Sequence, residues 1–101
     1  MQIIKLEVIL SQAIEEDLVQ AIENFSGVNG NKIRYTKFAD VTGRGYSSPK
    51  LGDAVWPQFN SAFFIFCSAD ECEYLLEAID KLRRVYPDEG LACFKSKAEE
   101  V

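Results

Sequence analysis

Histidine is absent from this 101-residue chain. Its absence removes the commonest general base near neutral pH and the commonest transition-metal ligand together. Cysteine is scarce: Cys67, Cys72 and Cys93 are odd in number and form no CxxC pair, which argues against a disulfide framework. A zinc centre would have to borrow Asp or Glu, and the three thiols read instead as small buried hydrophobes with no metal assigned. The longest apolar run, Ala62–Cys67, falls far short of the roughly 20 residues that a spanning helix needs. The first residues, Met1-Gln2-Ile3-Ile4-Lys5, have the form of neither a signal nor a transit peptide. The expected setting is the cytoplasm. Basic residues are the minority, 11 against 16 acidic for a net charge of −5. That balance disfavours nucleic acid and anionic membrane surfaces, which bind through clustered Lys and Arg.

What remains is ordinary globular composition, 48% hydrophobic and 27% charged, sized for a single domain over residues 1–101. Ile4, Leu6, Val8 and Leu10 alternate with Ile3, Lys5, Glu7 and Ile9, the pattern of a strand with one strongly apolar face. Ser11 offers an N-cap, with Glu15, Glu16 and Asp17 near the positive end of a helix. Ile14, Leu18, Ala21, Ile22 and Phe25 give that helix its apolar stripe, and Ser26-Gly27 with Asn29-Gly30-Asn31 ends it. Lys32–Thr42 predicts a second strand. An irregular segment, 43–59, follows, and loops of that length in a small domain tend to be functional. Asn60–Cys67 predicts a third strand, Ser68-Ala69-Asp70-Glu71 has capping-box spacing for a second helix, and Leu91–Lys95 predicts a short fourth strand before a loose acidic end.

The order β-α-β-β-α-β predicts an α+β fold, a ferredoxin-like sandwich: a four-stranded antiparallel sheet with two helices on one face. The third strand does not alternate. Either Phe63 with Ile65 or Phe64 with Phe66 must face away from the helices, where each side chain forgoes about 1.5–3 kcal/mol of burial. A second subunit covering that face is the expectation.

Charge is uneven along the chain. Residues 1–31 carry −4, residues 32–50 carry +4, and residues 51–101 carry −5. The positive segment, Lys32, Arg34, Lys37, Arg44 and Lys50 against Asp40, contains Thr42-Gly43-Arg44-Gly45. Glycines without Cβ let backbone approach an anion closely, Thr42 adds a hydroxyl, and Arg44 adds a forked donor. The same run also reads as a plain strand-to-loop turn. It opens no helix, and the chain holds no GxxxxGK[ST]. The loop carries Tyr46, Leu51, Val55, Trp56 and Phe59, more aromatic surface than a solvated linker needs, suited to packing, stacking or a protein partner. Catalytic constellations are scarce. Glu7 has Lys5 beside it on the same strand face, so an ion pair is expected rather than acid–base work, and the chain reads as no enzyme.

Val41-Thr42-Gly43-Arg44-Gly45, placed after the second strand and before a long loop, resembles the V-x-G-x-G segment of the PII signal-transduction proteins. Ile4–Leu10 is similar to their first strand, Glu16–Ile22 to the helix after it, Lys50–Asn60 to the return of their T-loop, and Ala69–Arg84 to their second helix. The resemblance covers nearly the whole chain. It implies a homotrimer of ferredoxin-like subunits, ligand sites in the clefts between them, and a T-loop that contacts a membrane transporter or metabolic enzyme. By position it marks Thr42, Gly43, Arg44, Gly45 and Lys50 as ligand-binding, with Tyr46, Leu51 and Trp56 on the partner-binding loop. The chain departs from the family at Tyr86-Pro87-Asp88-Glu89-Gly90, where the classical proteins carry a Gly-Asp-Gly-Lys loop for ATP phosphates. Its loop is also shorter, and its last residues, Ala98-Glu99-Glu100-Val101, are acidic where a basic extension would be expected. The implied effector is therefore another small anion: an adenine nucleotide with fewer phosphates, a cyclic dinucleotide or bicarbonate. The alternative is a trimeric ferredoxin-like module of the metal-tolerance (CutA-like) or structural type, motivated by three cysteines and the acidic clusters. A third reading is a small ferredoxin-like enzyme, such as a cofactor-free monooxygenase or isomerase.

Overall fold

The computed structural model describes residues 2–101. Its elements are β1 (Ile3–Ser11), α1 (Glu15–Asn24), β2 (Thr36–Val41), β3 (Asn60–Cys67), α2 (Ala69–Val85) and β4 (Leu91–Ala98), with 3-10 turns at Gln12–Ile14 and Val28–Gly30. The strands form one antiparallel sheet in the order β2-β3-β1-β4. The expected ferredoxin-like sandwich is the fold that forms.

Alternation in β1 sends Ile4, Leu6, Val8 and Leu10 into the helix layer, where they are buried with Leu18 and Ile22 of α1 and Cys72, Leu75, Ile79 and Leu82 of α2. Register resolves the third strand. Phe63 lies opposite Val8 and Ile65 opposite Leu6, so this pair shares the buried face. Phe64 and Phe66 therefore point outward, beside Ile9, Phe38 and Phe94.

The second helix starts where side chains satisfy its free N–H groups. Ser68 and Glu71 make both bonds of the capping box, the Glu71 N–H donating to Ser68 Oγ at 3.2 Å and the Ser68 N–H to Glu71 Oε1 at 2.9 Å. Ser11 caps the 3-10 turn before α1 rather than α1 itself, accepting from the Ala13 N–H at 3.3 Å. Glu15, Glu16 and Asp17 then occupy the first turn of α1. Two phenols tie the layer together: Tyr74 donates to the Ala21 carbonyl at 2.5 Å and Tyr86 to Asp17 at 2.7 Å.

Three boundaries differ from the sequence expectation. β2 begins at Thr36, not Lys32, because residues 32–35 leave the sheet so that Ile33 can enter the core. β4 runs on past Lys95 to Ala98, where it pairs with Ile3, so Ala98 belongs to the sheet rather than to a loose end. Within β2, Phe38 pairs with Ala62 but Val41 with Asn60, three steps against two. The extra residue is a bulge, and Asp40 stands in it with φ of +56°, a left-handed conformation that Asp tolerates better than most residues.

Candidate functional site

Leaving β2, the chain forms a second, tighter hairpin. The Gly43 N–H donates to the Lys50 carbonyl at 2.8 Å and the Lys50 N–H to the Gly43 carbonyl at 2.9 Å, closing Arg44–Pro49 into a loop. The rest of the long segment is ordered by its own contacts. The Gly52 N–H donates to the Gln58 carbonyl at 3.2 Å. Asp53 Oδ1 accepts from the Val55 and Trp56 amides at 3.0 and 2.7 Å, an Asx turn. Gly52 is required here: its φ is +66°, and the Phe59 ring stands 2.3 Å from where a Cβ would lie.

The 43–50 hairpin leans over the Pro87–Gly90 turn, with Ser47 Oγ 2.6 Å from the position of a Cβ on Gly90. Between them lies a cleft of about 720 Å³ at one end of the outer sheet face, within the usual size of a small-molecule site. Its floor is Ile9, Ala62, Ala92 and Phe94, and its walls are Thr42–Ser48 and Pro87–Leu91. Thr42, Gly43, Arg44 and Gly45 thus stand together on one wall. Gly43 and Gly45 have nothing within 4 Å of a Cβ position, and neither has positive φ. The fold would accept alanine at both.

The positive segment does not converge on this cleft. Lys32 donates to the Glu23 carbonyl at 2.9 Å, Lys37 lies 3.5 Å from Glu15, and Arg34 sits beyond the other end of β2, in a concavity of about 430 Å³ with Ile3, Tyr35, Phe64 and Phe66. Lys50 is only 5% exposed and turns its ammonium into the hairpin, donating to the Ser48 carbonyl at 3.1 Å. Arg44 is the one basic residue among the described residues that line the cleft, and Asp88 and Glu89 line it too. A strand is extended, so residues 32 and 44 lie at opposite ends of it; sequence proximity overstated their proximity in space.

Of the loop residues, Tyr46 is fully exposed and also borders the cleft, Leu51 and Trp56 are exposed, and Trp56 frames a shallow groove of about 240 Å³ with Pro49 and Pro57. Glu7 is bound by Lys5 at 2.7 Å, as its neighbour suggested. Cys67 and Cys72 are buried and Cys93 half-buried, all as free thiols. Burial, with Cys72 and Glu71 adding to it, pushes the Cys67 thiol up to about 12. Among the described residues no three Cys, Asp or Glu side chains converge as a metal ion would require. No helix among them is long and apolar enough to cross a membrane.

Sequence reasoning missed one piece of this region. Asp88 and Glu89 were legible through the departure at Tyr86–Gly90, but Gln12 gave no sign of its contacts. Its N–H donates to the Phe59 carbonyl at 3.1 Å, and its side chain donates to Asp40 at 2.6 Å. Asp40 did carry a signal, since Asp is depleted from regular strands and its presence in one suggests a bulge.

No family model and no curated protein matches this chain. Solved structures do. One of CPII from Thiomonas intermedia K12, bound to ADP and bicarbonate, superposes with a TM-score of 0.66 at 16% identity, over 99% of this chain and 91% of that one. A second structure of the same CPII, bound to ADP, AMP and bicarbonate, also gives 0.66, at 15% identity over 99% and 91%. A PII-like signalling protein from Thermus thermophilus gives 0.61 at 16% identity, over 97% of this chain and 88% of that one. With its strand order, its two helices on one face and its long loop after the second strand, the chain has the fold of the PII-like proteins.

Proposed function

We propose that this protein is a non-enzymatic PII-like regulator that binds an adenine nucleotide of one or two phosphates and signals its occupancy to a partner protein through the 43–59 loop. The observation that carries the reading is the pair Gly43 and Gly45, unstrained, uncrowded and set on the wall of a ligand-sized cleft beside Thr42 and Arg44. Arg44 alone against Asp88 and Glu89 suits few phosphates better than three, because each added charge meets two carboxylates and one guanidinium. The ADP, AMP and bicarbonate held by the Thiomonas CPII structures support the same class of ligand.

The assembly in this reading is a homotrimer. Phe38, Phe64, Phe66 and Phe94 with Ile9 make the outer sheet face apolar, the mark of a covered surface. In a closed ring two different patches meet at every joint. The cleft by Gly43–Gly45 of one subunit would then face the Arg34, Tyr35 and Phe64 concavity of the next, phosphate donors opposite aromatic rings for the base. Tyr46, Leu51 and Trp56, exposed on the loop, offer a surface for a transporter or metabolic enzyme.

Calorimetry with AMP, ADP and ATP, each with and without bicarbonate, tests the reading. AMP or ADP is expected to bind more tightly than ATP. Arg44→Ala is expected to weaken binding roughly 10- to 100-fold, the range for one charge-assisted hydrogen bond. No binding of any of the three at millimolar concentration would overturn it.

A further inference from the structure

We infer that Gln12 and Asp40 form a latch that fixes the direction of the 43–59 loop and ties it to the Pro87–Gly90 turn. Three chain segments that bound the cleft are held by two consecutive residues at the end of β1. The Ser11 N–H donates to the Gly90 carbonyl at 3.0 Å, at the entry to β4. The Gln12 N–H donates to the Phe59 carbonyl at 3.1 Å, where the loop returns. The Gln12 side-chain amide donates to Asp40 Oδ1 at 2.6 Å, where the loop departs.

The third bond differs from the other two because Asp40 occupies the bulge. With the extra residue accommodated there, Val41 lies opposite Asn60 on the outer sheet face. Regular pairing would continue Phe38–Ala62 to Asp40–Asn60, and Val41 would turn to the inner face. Shifting a strand by one residue exchanges its two faces. The Gly43–Gly45 run would move one place along with it, and the Gly43–Lys50 bridge would lose its alignment. The backbone at Asp40 is left-handed, a conformation that persists where neighbouring contacts hold it. The contact that does so is a short hydrogen bond to a carboxylate from a residue 28 positions away. The latch is a property of the chain's own fold, and its test uses no nucleotide.

Amide hydrogen exchange on the full-length protein reads it directly. The Gly43 and Lys50 amides report the bridge, and the Leu6, Val8 and Ile65 amides report the core sheet. Gln12→Met keeps the side chain's length and removes its donor; it is expected to speed exchange at Gly43 and Lys50 at least tenfold while the core amides stay within twofold. Asp40→Gly keeps access to positive φ and removes the acceptor, so it is expected to do the same. The double variant is expected to match either single one, because the two residues share one bond. Trypsin cleavage at Arg44 should accelerate in parallel. Unchanged exchange in Gln12→Met overturns the latch, and so does protection retained in Asp40→Gly, which would leave the backbone alone responsible. Equal loss of protection throughout the sheet would make Gln12 a general stabiliser and overturn it as well.

Discussion

The Lys5 ammonium lies 2.7 Å from the Glu7 carboxylate and 4.5 Å from the centroid of the Phe64 ring. The charged pair of β1 on the outer sheet face is thus neutralised on the spot and laid against an aromatic surface. A partner can cover that face without leaving a bare charge, which is the costly element in burying ionic groups.

Self-association is the first prediction. Light scattering is expected to give about three times the 11.4 kDa chain mass. Phe66→Glu, on a side chain exposed in the subunit, is expected to yield monomers with unchanged far-UV circular dichroism. A monomeric wild type would defeat the covered-face argument.

Stability and binding should separate at the hairpin. Gly43→Ala and Gly45→Ala meet open space and need no positive φ, so each is expected to leave stability unchanged or raise it by about 0.4–1 kcal/mol. Each should nonetheless weaken AMP or ADP binding by tenfold or more. Denaturant titration and calorimetry on the same samples check both halves.

Gly52 should behave in the opposite way. An alanine there has a left-handed backbone and the Phe59 ring against it, and the cost is expected to be about 1–3 kcal/mol, taken as loss of loop order. Trp56, the single tryptophan, lies four residues on and gives the readout as a fluorescence shift at lower denaturant. A variant with the wild-type transition would show that the loop repacks freely.

In the second helix, Ser68→Ala removes one bond of the capping box and is expected to cost about 1 kcal/mol. Leu75→Ala opens a cavity in the fully buried core and should cost about 2–5 kcal/mol. Reversal of that order in chemical denaturation would mean the helix is held by its end rather than by its face.

Alkaline pH should destabilise the protein through Cys67, Cys93 and Tyr86. The Cys67 thiol rises from an ordinary 9.0 to about 12 in the fold, so between these values the unfolded chain loses a proton that the folded one keeps. Stability therefore falls as pH rises through that window and is fully retained below it. Burial raises the Cys93 thiol, and the bond to Asp17 raises Tyr86, in the same direction. Cys67→Ser or Cys67→Ala should flatten the alkaline limb of a stability–pH curve. A thiol reagent at pH 8 is expected to reach half-buried Cys93 well before Cys67 or Cys72.

Much of the fold was readable because its signals are local. Alternation in Ile3–Leu10, the three- and four-residue spacing of Cys72, Leu75, Ile79 and Leu82, and the Ser68–Glu71 box each specify an element from its own residues. The glycine-rich run was readable too, as a place where backbone lies open. What misled was charge counted along the chain. Lys32, Arg34, Lys37 and Lys50 lie near Arg44 in sequence, yet an extended strand and a turned-in side chain put each somewhere else.

By itself, then, the sequence determined the order of elements, the inward face of β1 and of both helices, and the position of the one loop long enough to carry function. Periodicity does this because burial repeats with the period of a helix or a strand. The tertiary structure alone decided that Phe64 and Phe66, not Phe63 and Ile65, face outward, since that follows from register against β1. It alone set Gln12 on Asp40. Those relationships join residues far apart in the chain, and only the closed sheet brings them within reach of one another.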